Sequence, residues 1–183
     1  MEFITAFDTR ILETLYTLRD PQLAQLFSWI TELGSTTVMV ALVLLVTGAL
    51  VLRKRYGELA GFATAMIGAS IVFPLKHIVE RARPDEIFQV YLETGFSFPS
   101  GHAAKALVFY GFLAWLLARS QSSAWQRTAT TASAVFIIGA IGLSRLYLGL
   151  HWTSDVLAGF AIGGFFAWLG VFVAKKLERS AHK

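Results

Sequence analysis

The sequence predicts an all-α integral membrane helix bundle of about five transmembrane helices, with amphipathic helices at its N-terminus. Three observations predict it. Hydrophobic residues make up 55% of the 183 positions and charged residues 15%, against roughly 25% charged in an average soluble domain. Five uncharged stretches run 33–52, 59–75, 106–118, 128–144 and 156–174. The basic residues fall between these stretches rather than in one patch. Disorder is excluded, because disordered chains are poor in apolar residues. With 15 Gly, 4 Pro and no Cys, collagen-like and disulfide-stapled classes are excluded too. A spanning helix takes about 20 residues, so a single domain over 1–183 leaves chemistry only on short loops and helix ends.

The first 34 residues read as an interfacial segment, and 35–178 as the bundle. Phe3, Ile4, Phe7, Ile11, Leu15 and Leu18 recur at helical spacing with charges between them. Asp20-Pro21 then resembles an N-cap followed by proline at the first helical position. A second short stripe follows: Leu23, Leu26, Phe27 and Ile30. Gly34 can end that helix, and Ser35 can cap the first span. Both helices are expected at the membrane interface, or packed as a plug on the bundle. In the second span Pro74 is expected to kink the helix just before Lys76. The third span has 13 uncharged residues and reaches about 19 if it starts near Ser100, which puts His102 and Lys105 inside it. Ionisable residues in a membrane helix are costly and read as functional. Gly159 and Gly163 in the fifth span form a G-x-x-x-G, the pattern of close helix packing.

Orientation follows from the loops. Arg53, Lys54 and Arg55, then Arg119 and Arg127, then Lys175, Lys176, Arg179 and Lys183 share one side with Glu58 and Glu178. Positive-inside asymmetry makes that side cytoplasmic. The N-terminus is then expected outside and the C-terminus inside. Dispersed basic residues give no nucleic-acid footprint despite a net charge of +4. Glu2, Asp8, Arg10, Glu13, Arg19 and Asp20 interrupt any apolar core that a cleaved signal peptide would need.

The remaining ionisable residues map to the opposite, outward face. Lys76 and Arg83-Pro84 lie at the end of the second span, Pro99-Ser100-Gly101-His102 opens the third, Ser144-Arg145 closes the fourth, and His151 and Asp155 open the fifth. Three cations at one depth repel unless an anion joins them. Arginine presents a planar fork to phosphate oxygens, and lysine a point charge. The glycine-containing start of a helix adds backbone N–H groups and a favourable dipole. His151 and Asp155, four apart, can share a helix face. A carboxylate on one ring nitrogen fixes the tautomer and makes the other a better nucleophile. His102 can protonate a leaving oxygen. A metal held by His102, His151 and Asp155 is a competing reading, opposed by the neighbouring cations. Arg81 reads as a cation reaching lipid headgroups. Lys105 is a further candidate for the phosphate site. Glu86, Tyr91 and Glu93 read as a solvated loop, with headgroup contact second. His77 reads as a structural neighbour of Lys76, and His182 as a tail residue.

The order Lys76-x6-Arg83-Pro84, Pro99-Ser100-Gly101-His102 and Ser144-Arg145-x5-His151-x3-Asp155 resembles the three-part signature of the type 2 phosphatidic acid phosphatase superfamily, which includes vanadium-dependent haloperoxidases. The likeness covers about residues 35–175. It implies that Lys76, Arg83, Ser100, Gly101 and Arg145 hold the phosphoryl group. It implies that His151 attacks phosphorus to give a phosphohistidine, oriented by Asp155, while His102 protonates the leaving group, with no metal or other cofactor. Membrane members commonly have six spans; this chain reads as lacking the first. The expectation is a metal-independent lipid phosphatase of a bacterial cytoplasmic membrane. It would act on phosphomonoester or pyrophosphate lipids in the outer leaflet: undecaprenyl pyrophosphate, phosphatidylglycerophosphate or phosphatidic acid. The alternatives are a lipid phosphotransferase using the same intermediate, and an anion or lipid transporter without hydrolysis.

Overall fold

The structure, a computed structural model, describes residues 2–181, with side chains described for 4–180. The side chain of Phe3, and His182 and Lys183, lie outside the described residues. All regular structure among the described residues is helical: α1 (Glu2–Thr17), α2 (Pro21–Glu32), α3 (Thr36–Leu52), α4 (Tyr56–Ala69), α5 (Val72–Val79), α6 (Gly101–Ala118), α7 (Ala124–Tyr147), α8 (Thr153–Ala181) and a 3-10 turn, Glu86–Phe88. Counting α2–α3 and α4–α5 each as one, five are long and apolar enough to cross a membrane.

The expected caps are present. Asp20 accepts the N–H groups of Gln22 and Leu23 at 2.8 and 3.0 Å, with Pro21 at the first helical position. Ser35 accepts Val38 N–H at 3.4 Å. The N-terminal pair packs on the bundle, α1 against α8 and α7, and α2 against α7. The face that α1 turns inward is not its apolar stripe. Asp8 and Leu12 are buried, whereas Ile4, Phe7 and Leu18 are exposed, as are Leu23, Leu26 and Trp29 of α2. The charge faces protein and the apolar rim faces outward, the inverse of a soluble amphipathic helix and suited to a lipid boundary. Arg19 fixes the α1–α2 junction by donating to the carbonyls of Phe88 and Tyr147 at 2.7 and 2.8 Å.

The second span breaks rather than kinks, and earlier than expected. Pro74 has no N–H to offer the Ser70 carbonyl four residues back, and its ring crowds that oxygen. Helix α4 therefore ends at Ala69, α5 starts at Val72, and Ser70 O accepts Phe73 N–H instead at 3.0 Å. The short α5 stops where Glu80 turns left-handed, φ 49°, leaving Lys76 one turn from its end.

Helix α8 is central and packs against α4 and α6, while α7 packs mainly on α6 and meets α8 where Gly142 faces Phe160 and Val156. Met39, Val46, Leu50, Phe62, Ala65, Val108, Phe109, Phe112 and Leu116 fill the core. The α6–α8 crossing is backbone on backbone. A Cβ at Gly159 would lie 2.5 Å from the Ser100 carbonyl oxygen, and one at Gly163 2.7 Å from that of Ala104. At the end of the bundle away from these residues, Arg119 pairs with Glu178 at 2.6 Å and Glu58 at 3.3 Å, and Arg55 pairs with Glu58. The basic loops and both acids assigned to one side from sequence thus meet at one end.

Candidate active site

Three local devices bring the outward residues together. Helix α7 ends in a Schellman motif: Leu150 N–H reaches Arg145 O, and Gly149 N–H reaches Leu146 O, both at 3.0 Å, with Gly149 at φ 70°. That turn reverses the chain and delivers His151 just ahead of α8. The 99–102 segment is tied to α8 by Ser100 N–H on the Asp155 carbonyl at 3.0 Å. The segment after α5 is tied to the loop before α6 by Ser97, whose hydroxyl donates to Ala82 O at 2.9 Å.

His151 is buried, 2% exposed. Its Nδ1 lies 3.3 Å from Asp155 Oδ2, and its Nε2 lies 3.3 Å from an Arg83 guanidinium nitrogen. Asp155 Oδ2 also accepts Trp152 N–H at 3.0 Å. Arg83 donates to Leu150 O at 2.6 Å and Gly95 O at 3.0 Å. Arg145 is fully buried and donates to Thr31 at 3.0 Å and Tyr91 at 3.3 Å. Its Nε–H has no hydrogen-bond partner among the described residues. Lys76 points at the carbonyls of Phe96 and Ser97. The ring of His102 makes no hydrogen bond among the described residues, and packs beside Gly34 at the α2–α3 junction. A Cβ at Gly101 would meet no protein atom within 4 Å, so the backbone there fronts open space. Ser100 is fully buried, and its hydroxyl accepts Ala103 N–H at 3.5 Å as the cap of α6, which leaves its own O–H as a donor.

Four sequence readings change. Glu93 is no solvated loop residue: its carboxylate bridges Arg83, at 3.0 Å, and Arg145. Tyr91 joins it on Arg145. Arg81 does not reach for headgroups; it donates to Asp155 at 2.8 Å and Asp8 at 2.7 Å. Lys105 turns away from the arginines to Thr36, 3.0 Å. His77 lies edge-on to Phe96, a packing role as read. Among the described residues no group of three or more His, Asp or Glu side chains is arranged to hold a metal ion, so the geometry offers no His102–His151–Asp155 metal site.

Charge and burial set the protonation states. Burial, then Arg145 and Arg83, hold His151 well below its usual value, with Glu93 opposing. The ring is therefore neutral and able to act as a nucleophile. Burial would raise Glu93, but Arg145 and Arg83 outweigh it and keep the carboxylate ionised. A histidine whose native value is depressed contributes stability that is complete above its unfolded value, about 6.5. That stability is lost as pH falls below it, because the unfolded chain takes a proton that the native site refuses. His151→Gln should flatten the acid decline of the unfolding free energy, by up to about 1.4 kcal/mol per pH unit. Parallel declines in wild type and variant between pH 6.5 and 5 would show that His151 is not held neutral.

The PAP2 superfamily model matches residues 58–179. The chain belongs to the PAP2 superfamily. It is 29% identical to phosphatidylglycerophosphatase B of Bacillus subtilis, over 98% of this chain and 89% of that one. It is 30% identical to the undecaprenyl-diphosphatase of Sulfolobus acidocaldarius, over 73% of this chain and 66% of that one. The crystal structure of a transmembrane PAP2-type phosphatidylglycerolphosphate phosphatase from Bacillus subtilis superposes with a TM-score of 0.81 at 29% identity, covering 98% of this chain and 88% of that chain. The superfamily match spans the cation and histidine positions from Lys76 to Asp155.

Proposed function

We propose that this PAP2 protein is a metal-independent lipid phosphatase that passes the phosphoryl group through His151. One observation carries the reading: a carboxylate, Glu93, bridges the buried Arg145 and the half-buried Arg83 beside His151 Nε2. Two guanidinium groups converging on an anion mark where phosphate oxygens can be held, with the nucleophilic nitrogen adjacent. The unpartnered Arg145 Nε–H adds a donor there.

In this reading the phosphoryl oxygens take donors from Arg83, Arg145 and Lys76 and from the backbone at Gly101. The Nε2 lone pair attacks phosphorus as the bond to the leaving oxygen breaks, and His102 gives that oxygen its proton. Asp155 accepts Nδ1–H and stabilises the positive charge that forms on the ring. Water then attacks the phosphohistidine, His102 takes its proton, and inorganic phosphate leaves. The α3, α4–α5 and α6 helices leave a groove of about 310 Å³, lined by Met39, Val43, Met66 and Phe73, with Thr36 and Lys105 at the end nearer the site. An apolar groove between the helices that carry Lys76 and His102 suits a lipid whose head reacts while its tail stays in the bilayer. The positive-inside charge pattern supports a reaction at the outer leaflet, in this reading that of a bacterial cytoplasmic membrane. Undecaprenyl pyrophosphate and phosphatidylglycerophosphate are the leading substrates, consistent with the activities named for the two relatives, and phosphatidic acid is next.

Purified protein in detergent with EDTA should release phosphate from at least one of these three lipids. Folded protein that releases none of it would overturn the reading.

A further inference from the structure

Among the described side chains of α1 one carboxylate is buried, and it stands behind the proposed reaction centre. Asp8 is 1% exposed. Its Oδ1 accepts Ser154 N–H at 2.8 Å, and its Oδ2 accepts the Ser154 hydroxyl and an Arg81 nitrogen at 2.7 Å. The other terminal nitrogen of Arg81 donates to Asp155 Oδ1 at 2.8 Å and to the Ser154 hydroxyl at 2.6 Å. Asp155 holds His151 with its remaining oxygen. Arg81 is kept in this bridge by Trp152, whose ring lies 5.4 Å below the guanidinium and whose Nε1–H bonds Ala82 O at 2.9 Å. A continuous chain therefore runs Asp8, Arg81, Asp155, His151, and it joins α1 to α8 across 146 positions of sequence at Ser154.

The charge count makes the chain more than a brace. A guanidinium bound to Asp155 alone would neutralise the carboxylate that must stabilise positive charge on His151. Two carboxylates sharing one guanidinium keep one net negative charge behind the ring. Asp8 also satisfies a first-turn N–H of α8, which no residue within that helix can reach, and so fixes the turn that carries Asp155.

We propose that Asp8 is a positioning residue for the reaction: by sharing Arg81 with Asp155, it leaves Asp155 the charge to stabilise His151 as phosphorus is attacked. This rests on the reading of His151 as the nucleophile. It gives the N-terminal helix a part in turnover as well as in membrane attachment.

The test compares Asp8→Asn, Arg81→Gln and the double variant in the full-length protein, using phosphate release and the binding of inorganic phosphate. Asp8→Asn keeps the shape but removes the charge. It should lower kcat about tenfold, the size of a coupling between neighbouring groups, with KM and phosphate affinity unchanged. Adding Arg81→Gln should recover part of that loss, because removing the guanidinium restores the charge on Asp155. A brace that only holds α1 in place would lose further activity in the double variant. Wild-type kcat in Asp8→Asn would overturn the inference. So would joint loss of turnover and phosphate binding, or a double variant no faster than Asp8→Asn. A wild-type protein without turnover would instead refute the phosphatase reading itself.

Discussion

His151→Ala is expected to reduce phosphate release by at least about 10⁴-fold, the scale on which losing a covalent nucleophile is felt. Inorganic phosphate should still bind, because Arg83, Arg145 and Lys76 approach from other elements and keep their own partners among backbone carbonyls and Glu93. In the wild type, quenching during turnover of a labelled substrate should trap label that is stable to base and labile to acid, as a phosphohistidine is. The label should be missing from the variant. A His151→Ala protein that retains one-tenth of wild-type turnover would remove His151 from the chemistry and leave Arg83 and Arg145 as a binding site only.

The second large effect is expected at Arg145. It is fully buried, touches Thr31, Tyr91 and Glu93, and has one donor without a partner. Arg145→Lys preserves the charge that Glu93 requires but replaces a five-donor planar fork by a point charge. Turnover should fall about 100-fold or more, the scale seen when one oxyanion donor is removed. Affinity for inorganic vanadate should fall with it, while the melting temperature changes little because Glu93 is not left unpaired. If vanadate affinity and turnover both match the wild type, the site is reading charge alone and the fork has no special part.

Much of this molecule is written locally. The five spans follow from uncharged stretches, and the caps at Asp20 and Ser35 from residue type and position. His102 and His151, the histidines proposed to react, lie within a few residues of helix starts that the sequence itself marks. What escaped the sequence are pairs formed between distant segments. Arg81 meets Asp8 across 73 positions, and Arg145 meets Glu93 across 52. Read alone, Arg81 is one more cation near a membrane surface, Glu93 an acid in a loop, and Asp8 a charge that punctuates an amphipathic stripe. Only the fold shows that each faces inward. The break between α4 and α5 was misplaced for a different reason. Proline acts on the carbonyl four residues before it, so the helix fails at Ser70 and not at Pro74 or Lys76.

The contact of Gly159 and Gly163 with the main chain at Ser100 and Ala104 has a wider consequence. His102 and Asp155 ride on two helices whose spacing is set by backbone touching backbone. No large side chain acts as a shim between them, so none can drift in size and stretch the site. The lipid-facing walls are free of that constraint: exposed positions such as Val40, Leu44 and Ile67 can be exchanged. Under the proposed reading, changes on those walls can retune which tails are accepted while the separation of α6 from α8, and so of His102 from Asp155, stays constant. This separates inheritance of the reaction from divergence of the substrate, within one set of helices.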